Sequence, residues 1–333
     1  METFLPDYVE ALKQAEAYPE KPKKISLSET RWSYLFLADA LCYKIKKTGN
    51  EFASSAVKEA YCHEECQLLK RYNPDWPVEV VQLKKTAAGY QLGGKGGQIE
   101  EYALKMEALS KRRFLSSLLD NKTVDMVDIS LIAQNLAEIH AQSGVPAKSA
   151  ETGKAEGFHS LCDDMLYQMK RYFDTSITQP IIGMIRHPLE KFMDSNASLF
   201  SKRIRKGRVV QGHGALDPEH IHVQGETVRL ISPQEVYKKY SVLDAANDVA
   251  TLMLQLMVND REELSEHFHM KYLEVSRDRE LDAILPAYLT YSALMHGVRT
   301  CEEKVASSDE SLGTVALEFF NLAARYSREL HKD

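Results

Sequence analysis

The chain has 333 residues, 44 % hydrophobic and 27 % charged, and its 42 Lys and Arg against 48 Asp and Glu give a formal net charge of -6. This is globular composition, long enough for one large or two closely packed domains, and it carries no overall basic field that would recruit nucleic acid or an anionic membrane, so neither is expected as a partner. The five cysteines, Cys42, Cys62, Cys66, Cys162 and Cys301, are odd in number and lie mostly in apolar or helical segments, which predicts reduced thiols and no disulfide framework.

The opening residues Met1–Asp7 carry acids where a secretory leader would be basic, and no uncharged apolar run nears the roughly 20 residues of a membrane span, so a cytoplasmic protein is expected. From about Ser26 to Met106 strand signals dominate. Arg31–Leu37 and Ala40–Lys46 read as consecutive strands with Ala38-Asp39 at the turn, and a helix runs from about Ser54 to Tyr72, ended by Asn73-Pro74 because a residue before proline avoids helical dihedrals. Val78–Leu83 and Ile99–Met106 are two further strands joined through the glycine-rich segment Ala88–Gly97. That segment has neither the Gly-Lys-Ser/Thr ending of a P-loop nor a helix after it, so it reads as a flexible hairpin tip rather than a phosphate cradle.

Beyond Leu109 the pattern turns helical. Val127, Leu131, Ile132, Leu136 and Ile139 form a stripe over Val124–His140, Gly144–Gly157 reads as a polar loop, and helices follow over His159–Asp174 and Pro180–Lys206. After a strand-turn stretch, Val209–Ile231, the apolar residues from Val242 to Met257 recur at helical spacing as a core helix, and residues 262–299 and 314–330 give further amphipathic helices. Strands followed by helices predict an α+β chain. The expected division is a small lobe over residues 1–107, with an antiparallel sheet and one helix, and a larger, mainly helical lobe over residues 108–333.

The informative stretch is Gly207–Val223, containing His213-Gly-Ala-Leu-Asp-Pro-Glu-His220, followed by Val228–Glu235. With Glu29-Thr-Arg-Trp-Ser-Tyr-Leu-Phe-Leu37, Tyr43-Lys-Ile-Lys-Lys47, Cys62-His-Glu-Glu65, Glu101–Met106 and Leu243-Asp-Ala-Ala-Asn-Asp-Val249, it resembles the aminoglycoside phosphotransferase family over almost the whole chain. Within that family the similarity is to a branch of predicted bacterial kinases often fused to a P-loop ATPase domain. The resemblance implies a bilobal protein-kinase-like fold.

It also implies where the chemistry should sit. The family's loop runs His-Gly-Asp-Leu-His-x-Gly-Asn, and this chain has Ala215 at the catalytic Asp, His220 at the metal-binding Asn and Ser232 where the second metal-binding Asp is expected. Magnesium prefers hard oxygen ligands, usually carboxylates, and these three supply none. Ala215 also cannot orient or deprotonate an acceptor hydroxyl, a role worth roughly 10²–10⁴ in rate. By the same resemblance Lys44 is the phosphate-touching strand lysine, with Lys46 as the alternative on the same face, and Glu65 the helix glutamate that pairs with it. A purely structural Lys44–Glu65 pair is the competing reading. Asp244 and Asp248 are matched to structural acids near a helix start, and His213 to the loop's internal hydrogen bonding.

Three functional readings follow. The first is a pseudokinase: a binding or regulatory module for a protein partner or small ligand, without phosphoryl transfer, in which ATP is a candidate ligand and magnesium is expected to be held poorly or not at all. The second is an ATP-dependent phosphotransferase with a rewired site using Asp217, Glu219 or Glu235 in place of the lost acids. The third treats His213, Asp217, Glu219, His220 and His222 as transition-metal ligands, although His220 and His222 alternate with Ile221 and Val223 as on a strand. Cys62 and Cys66, one helical turn apart, read as core residues, and the basic run Lys202–Arg208 as the solvated end of a helix.

Overall fold

The computed structural model describes residues 5–49, 52, 54–145, 150–232 and 242–330. The chain forms two compact units, Met1–Arg113 with Arg229–Glu235, and Phe114–Val228 with Val236–Asp333.

The first unit opens with a short helix α1 (Asp7–Ala11) and continues through β1 (Ile25–Glu29), β2 (Ser33–Ala38), β3 (Leu41–Lys46), α2 (Ser55–Tyr72), β4 (Val78–Thr86), β5 (Gly89–Leu92) and β6 (Gln98–Glu107). The six strands make one sheet in the order β1-β2-β3-β6-β4-β5, with every neighbouring pair antiparallel. Because successive side chains of a strand point to opposite faces, β3 sends Tyr43 and Ile45 to one side and Cys42, Lys44 and Lys46 to the other. Tyr43 and Ile45 pack with Tyr8, Val9, Leu12 and Tyr18 of the N-terminal segment. On the opposite face Cys42, Leu104 and Met106 meet Cys62, Cys66 and Leu69 of α2, together with Trp76 and Ile231.

The glycine-rich segment differs from the sequence expectation. It is not one hairpin tip, because Gly89–Leu92 pairs with β4 as a strand of its own and Gly93, Gly94, Gly96 and Gly97, all at positive φ, connect β5 to β6. No helix follows it, so the cradle reading has no support in the backbone.

The second unit is built from α3 (Leu115–Asp120), α4 (Met126–Gln142), α5 (Ala155–Met169), α6 (Thr175–Arg205), β7 (Val209–Gln211), β8 (Ile221–Gln224), β9 (Thr227–Leu230), β10 (Val242–Asp244), α7 (Ala246–Val258), α8 (Glu262–Ser276), α9 (Leu281–Ser307) and α10 (Leu312–Glu329), with the end of β9 belonging to the first unit. A capping box of Asp125 and Asp128 starts α4. Its buried face runs Ile129, Ile132, Leu136, Ile139 and His140, so the predicted stripe is rotated: Val127 is 66 % exposed.

Three boundaries also moved. Val242–Asp244 pairs antiparallel with β7, so the core helix begins only at Ala246. The expected helix over 262–299 breaks at Arg277, whose left-handed φ of 50° ends α8. The polar loop ends at Ala155, where α5 begins, rather than at Gly157.

Candidate functional site

In the first unit, the alternation of β3 brings Lys44 under α2, where Lys58, Cys62, Glu65, Cys66, Leu69 and Tyr72 form the buried face of the helix. Lys44 Nζ donates to Glu65 Oε1 at 2.8 Å and to the Ser232 hydroxyl at 2.9 Å. Both charged side chains are buried, and a desolvated pair of this kind persists only because each ion satisfies the other. Lys46 Nζ lies 3.7 Å from Glu65 Oε2 and 4.7 Å from the centre of the Tyr61 ring. The geometry therefore puts Lys44 in the closer contact with Glu65, while Lys46 rests on an aromatic face.

Ser232 is held in place from the helix end. The Asn73 side chain donates to the Leu230 carbonyl at 2.8 Å and accepts from the Leu230 amide at 3.1 Å, which pins the strand two residues before Ser232. Ser232 itself has a left-handed φ of 53°. A further buried pair, Lys58 with Glu101, sits behind α2, and Lys58 also donates to Thr48 at 2.9 Å.

In the second unit the loop His213–His220 is organised by Asp248 at the start of α7. The Asp248 carboxylate accepts from the His213 amide at 2.7 Å and the Gly214 amide at 2.9 Å, and contacts His140 Nε2 at 3.1 Å. Burial opposes ionisation of this carboxyl, but His140, His213 and the loop amides outweigh it and hold its pKa below the usual range. Gly212 must lack a side chain, since a Cβ there would lie 2.6 Å from Asp248 Oδ2. Asp244 has a second structural role: it accepts from the Ala246 amide at 2.9 Å and from Arg203 at 2.5 and 2.6 Å. Arg203, with no exposed surface, also donates to both oxygens of Asp278 at 2.9 and 2.8 Å. The two Asp positions thus brace the loop and the helix start, as the resemblance implied.

Ala215 presents a methyl group and a carbonyl, and that carbonyl accepts from His220 Nδ1 at 2.9 Å. Asp217 is drawn to α9: Arg299 donates to its Oδ2 at 2.6 Å and His296 Nε2 stands 3.4 Å from its Oδ1. Burial works against the charge, yet Arg299, His296 and His220 together keep the Asp217 carboxyl well below the usual carboxylate range. His296 is pushed down to about 4, mainly by burial.

Glu219 is mostly exposed, with Oε1 3.7 Å from His220 Nε2. Of the five candidate metal ligands, Asp217, Glu219 and His220 are brought together. His222 instead packs edge-on against Phe114, ring centroids 5.1 Å apart, and His213 is tied into the loop through its amide. Glu235 lies outside the described residues.

Two other sequence features resolve. All five cysteines are free and buried, and burial pushes the Cys62 thiol up to about 12. The basic run is only partly a solvated helix end, because Arg203 is fully buried and Lys202 and Lys206 both reach Glu280, at 2.9 and 2.6 Å. Arg203, His296 and Arg299 were not singled out in the sequence. The last two lie three apart in α9 and so share a face, a spacing that the sequence displays but that names no partner.

No family model matches the chain. Uncharacterized proteins of Mycobacterium tuberculosis and Mycobacterium bovis are each 22 % identical over 281 residues, covering 83 % of this chain and 55 % of theirs, so the chain spans about half the length of the curated relatives it matches. Among solved structures, choline kinase from Cryptosporidium parvum aligns with a TM-score of 0.60 at 12 % identity over 97 % of this chain and 96 % of that one. Plasmodium vivax ethanolamine kinase gives 0.54 at 13 % identity, covering 92 % and 81 % of the two chains, and the aminoglycoside phosphotransferase APH(4)-Ia gives 0.53 at 10 %, covering 91 % and 94 %. Among the described residues no helix is long and apolar enough to cross a membrane. The chain has the kinase-like fold that the choline kinases and aminoglycoside phosphotransferases share.

Proposed function

We propose that this protein is a pseudokinase: a kinase-shaped binding or regulatory module that does not transfer phosphate. The observation that carries this reading is the state of the three positions at which the family needs oxygen ligands and a base. Ala215 offers a methyl group, His220 an imidazole already donating to the Ala215 carbonyl, and Ser232 a hydroxyl already accepting from Lys44. Magnesium takes a near-octahedral shell of hard oxygens, and this set does not fit it.

Asp217 and Glu219 are poorly placed to replace what is missing. Asp217 gives one oxygen to Arg299 on α9, and the Glu219 side chain is 66 % exposed. Phosphoryl transfer is nearly all positioning and charge neutralisation, so these losses disable it together. Lys44 and Glu65 retain the arrangement that in kinases meets phosphates, which supports nucleotide as a candidate ligand. The remaining ligand, or a protein partner, is open to direct test. The deciding experiment is a thermal-shift series with ATP, with and without magnesium, alongside an assay of ATP consumption. No turnover and no magnesium-dependent shift are expected, whereas sustained ATP consumption that disappears in Asp217→Ala would replace this reading with a rewired transferase.

A further inference from the structure

The sheet of the first unit ends in two edge strands, β1 and β5, and the two edges are finished differently. β5 has four residues, and Tyr8 of α1 packs edge-on against its Tyr90, ring centroids 6.4 Å apart. A short, flanked edge offers little to a further strand. β1 has five residues, none of them buried.

The ladder between β1 and β2 decides which backbone groups face outward. Thr30 N donates to Ser33 O at 2.9 Å and Asp39 N donates to Lys24 O at 3.0 Å, so these are hydrogen-bonded pairs of the ladder. Such pairs recur at every second residue of an antiparallel ladder, and the unbroken register makes Ser26 with Leu37 and Ser28 with Leu35 the ones between them. Ile25, Leu27 and Glu29 therefore each point an N–H and a C=O away from β2. Among the described residues no strand pairs with that side.

The side chains add a pattern to this edge. Ile25 and Leu27 pack half-buried on the face that carries Tyr8, Tyr18 and Tyr43, whereas Ser26 and Ser28 point to the other face. Lys21, Lys23 and Lys24 stand exposed just before the strand. Against them is Asp39 on the adjoining turn, whose carboxylate already accepts from the amides of Lys23 and Lys24 at 2.9 Å each, and Glu20 is held by Tyr43 and Lys105 at 2.7 and 2.8 Å. The edge is thus locally basic in a chain whose net charge is -6.

We propose that β1 is a docking edge for an extended segment of a partner protein in which apolar and acidic residues alternate. Antiparallel main-chain hydrogen bonds to Ile25, Leu27 and Glu29 set its register, its apolar side chains extend the face of Ile25 and Leu27, and its carboxylates meet the lysines. A second copy of this chain fits poorly, because β1 paired antiparallel with itself about Leu27 would set Lys23 against Arg31, like charges opposite one another. The surface belongs to the first unit alone, and the inference stands whether or not the protein transfers phosphate.

The test uses the full chain and a fluorescent octapeptide of alternating valine and glutamate, capped at both ends and read by anisotropy. Saturable one-to-one binding is expected, and a valine–lysine peptide should bind at least roughly tenfold more weakly. In the proposed register the valines lie opposite Ile25 and Leu27, so their amides donate to β1 while the glutamate amides face solvent. Methylating two central valine amides should therefore weaken binding roughly tenfold, and methylating two glutamate amides less than about threefold. Lys23→Glu combined with Lys24→Glu, both at exposed positions, should weaken it roughly tenfold with the melting temperature unchanged. Lys95→Glu, on the exposed connection between β5 and β6, should leave it unaltered. Absence of binding, equal binding of the valine–lysine peptide, equal loss from methylating either set of amides, undiminished affinity in the Lys23 and Lys24 variant, or a dimer of the chain that the peptide dissociates would each overturn the assignment.

Discussion

Lys44 donates to Ser232 at 2.9 Å while pairing with Glu65 at 2.8 Å, so a hydroxyl meets the lysine at the position where the pseudokinase proposal reads a lost metal-binding carboxylate. The lysine is thus engaged within its own unit by one acid and one alcohol. The position is nevertheless prepared for an acid, because Asp tolerates the left-handed φ of 53° that Ser232 adopts better than most residues. Ser232→Asp alone should fold normally and still show no magnesium-dependent stabilisation by ATP. The triple variant Ala215→Asp, His220→Asn, Ser232→Asp should gain one. At ligand a hundredfold above Kd the gain is about 2.7 kcal/mol, a melting shift of several degrees. A magnesium-dependent shift already present in the unchanged protein would count against the pseudokinase reading.

The Lys44–Glu65 pair should prove costly to break and cheaper to remove. Lys44→Met leaves a buried carboxylate whose other cation, Lys46, is 3.7 Å away, so a loss of about 3 kcal/mol is expected, at the low end for a broken buried pair. Glu65→Gln leaves both lysines without their anion and should cost about as much. The double variant Lys44→Met, Glu65→Leu should recover part of the loss, because apolar replacements of buried ion pairs are often neutral. Denaturant midpoints in a double-mutant cycle measure the coupling, and fully additive losses would show that the pair does not act as a unit.

How much of this the sequence displayed follows from the range of the forces involved. The alternation of β3 and the capped run of α2 are local, so the strand that carries Lys44 and the helix that carries Glu65 are both legible in the order of residues. The identities Ala215, His220 and Ser232 are equally plain once the sequence is set against the aminoglycoside phosphotransferases that it resembles. What stayed hidden depends on distant partners. Arg203 looks like one more cation in a basic run, yet it joins Asp244 and Asp278, 41 and 75 positions away. Arg299 reaches Asp217 across 82 positions, and no local pattern announces that contact. The rotated face of α4 and the strand at Val242–Asp244 escape for the same reason: tertiary partners, not periodicity, decide them.

Arg203 should be the least replaceable cation of the second unit. Its guanidinium makes two-point contacts with both Asp244 and Asp278, so Arg203→Met leaves two buried carboxylates without their main cation and should cost at least about 3–5 kcal/mol. Arg203→Lys should rescue little, because an ammonium cannot reproduce the planar fork. Expression in soluble form and urea midpoints report the effect, and a lysine variant as stable as the parent would contradict it.

The cysteines should be unreactive in the native protein. All five are buried, and at a pKa of about 12 only on the order of one Cys62 in 10⁵ is a thiolate at neutral pH. Thiol titration should find little rapid reaction before denaturant is added and five equivalents afterwards. Fast labelling of Cys62 or Cys66 in the folded chain would mean that α2 opens from the sheet.

Acid should loosen the loop His213–His220 through Asp248. The Asp248 carboxyl titrates below its ordinary value of 3.8 in the folded chain, so folding gains from its ionisation. That contribution is fully present above the unfolded pKa and is lost as pH falls through the folded one, since below it both states bind the proton. Asp248→Asn should therefore flatten the acid limb of stability plotted against pH. It should also lower the neutral plateau, because charge-assisted acceptance from the His213 and Gly214 amides is weakened. Gly212→Ala offers an independent probe of the same brace: the added Cβ would stand 2.6 Å from Asp248 Oδ2, so the carboxylate must shift and both loop amides lose their acceptor. Destabilisation of about 1–3 kcal/mol is expected from such overpacking, and stability unchanged in both variants would show that Asp248 does not hold this loop.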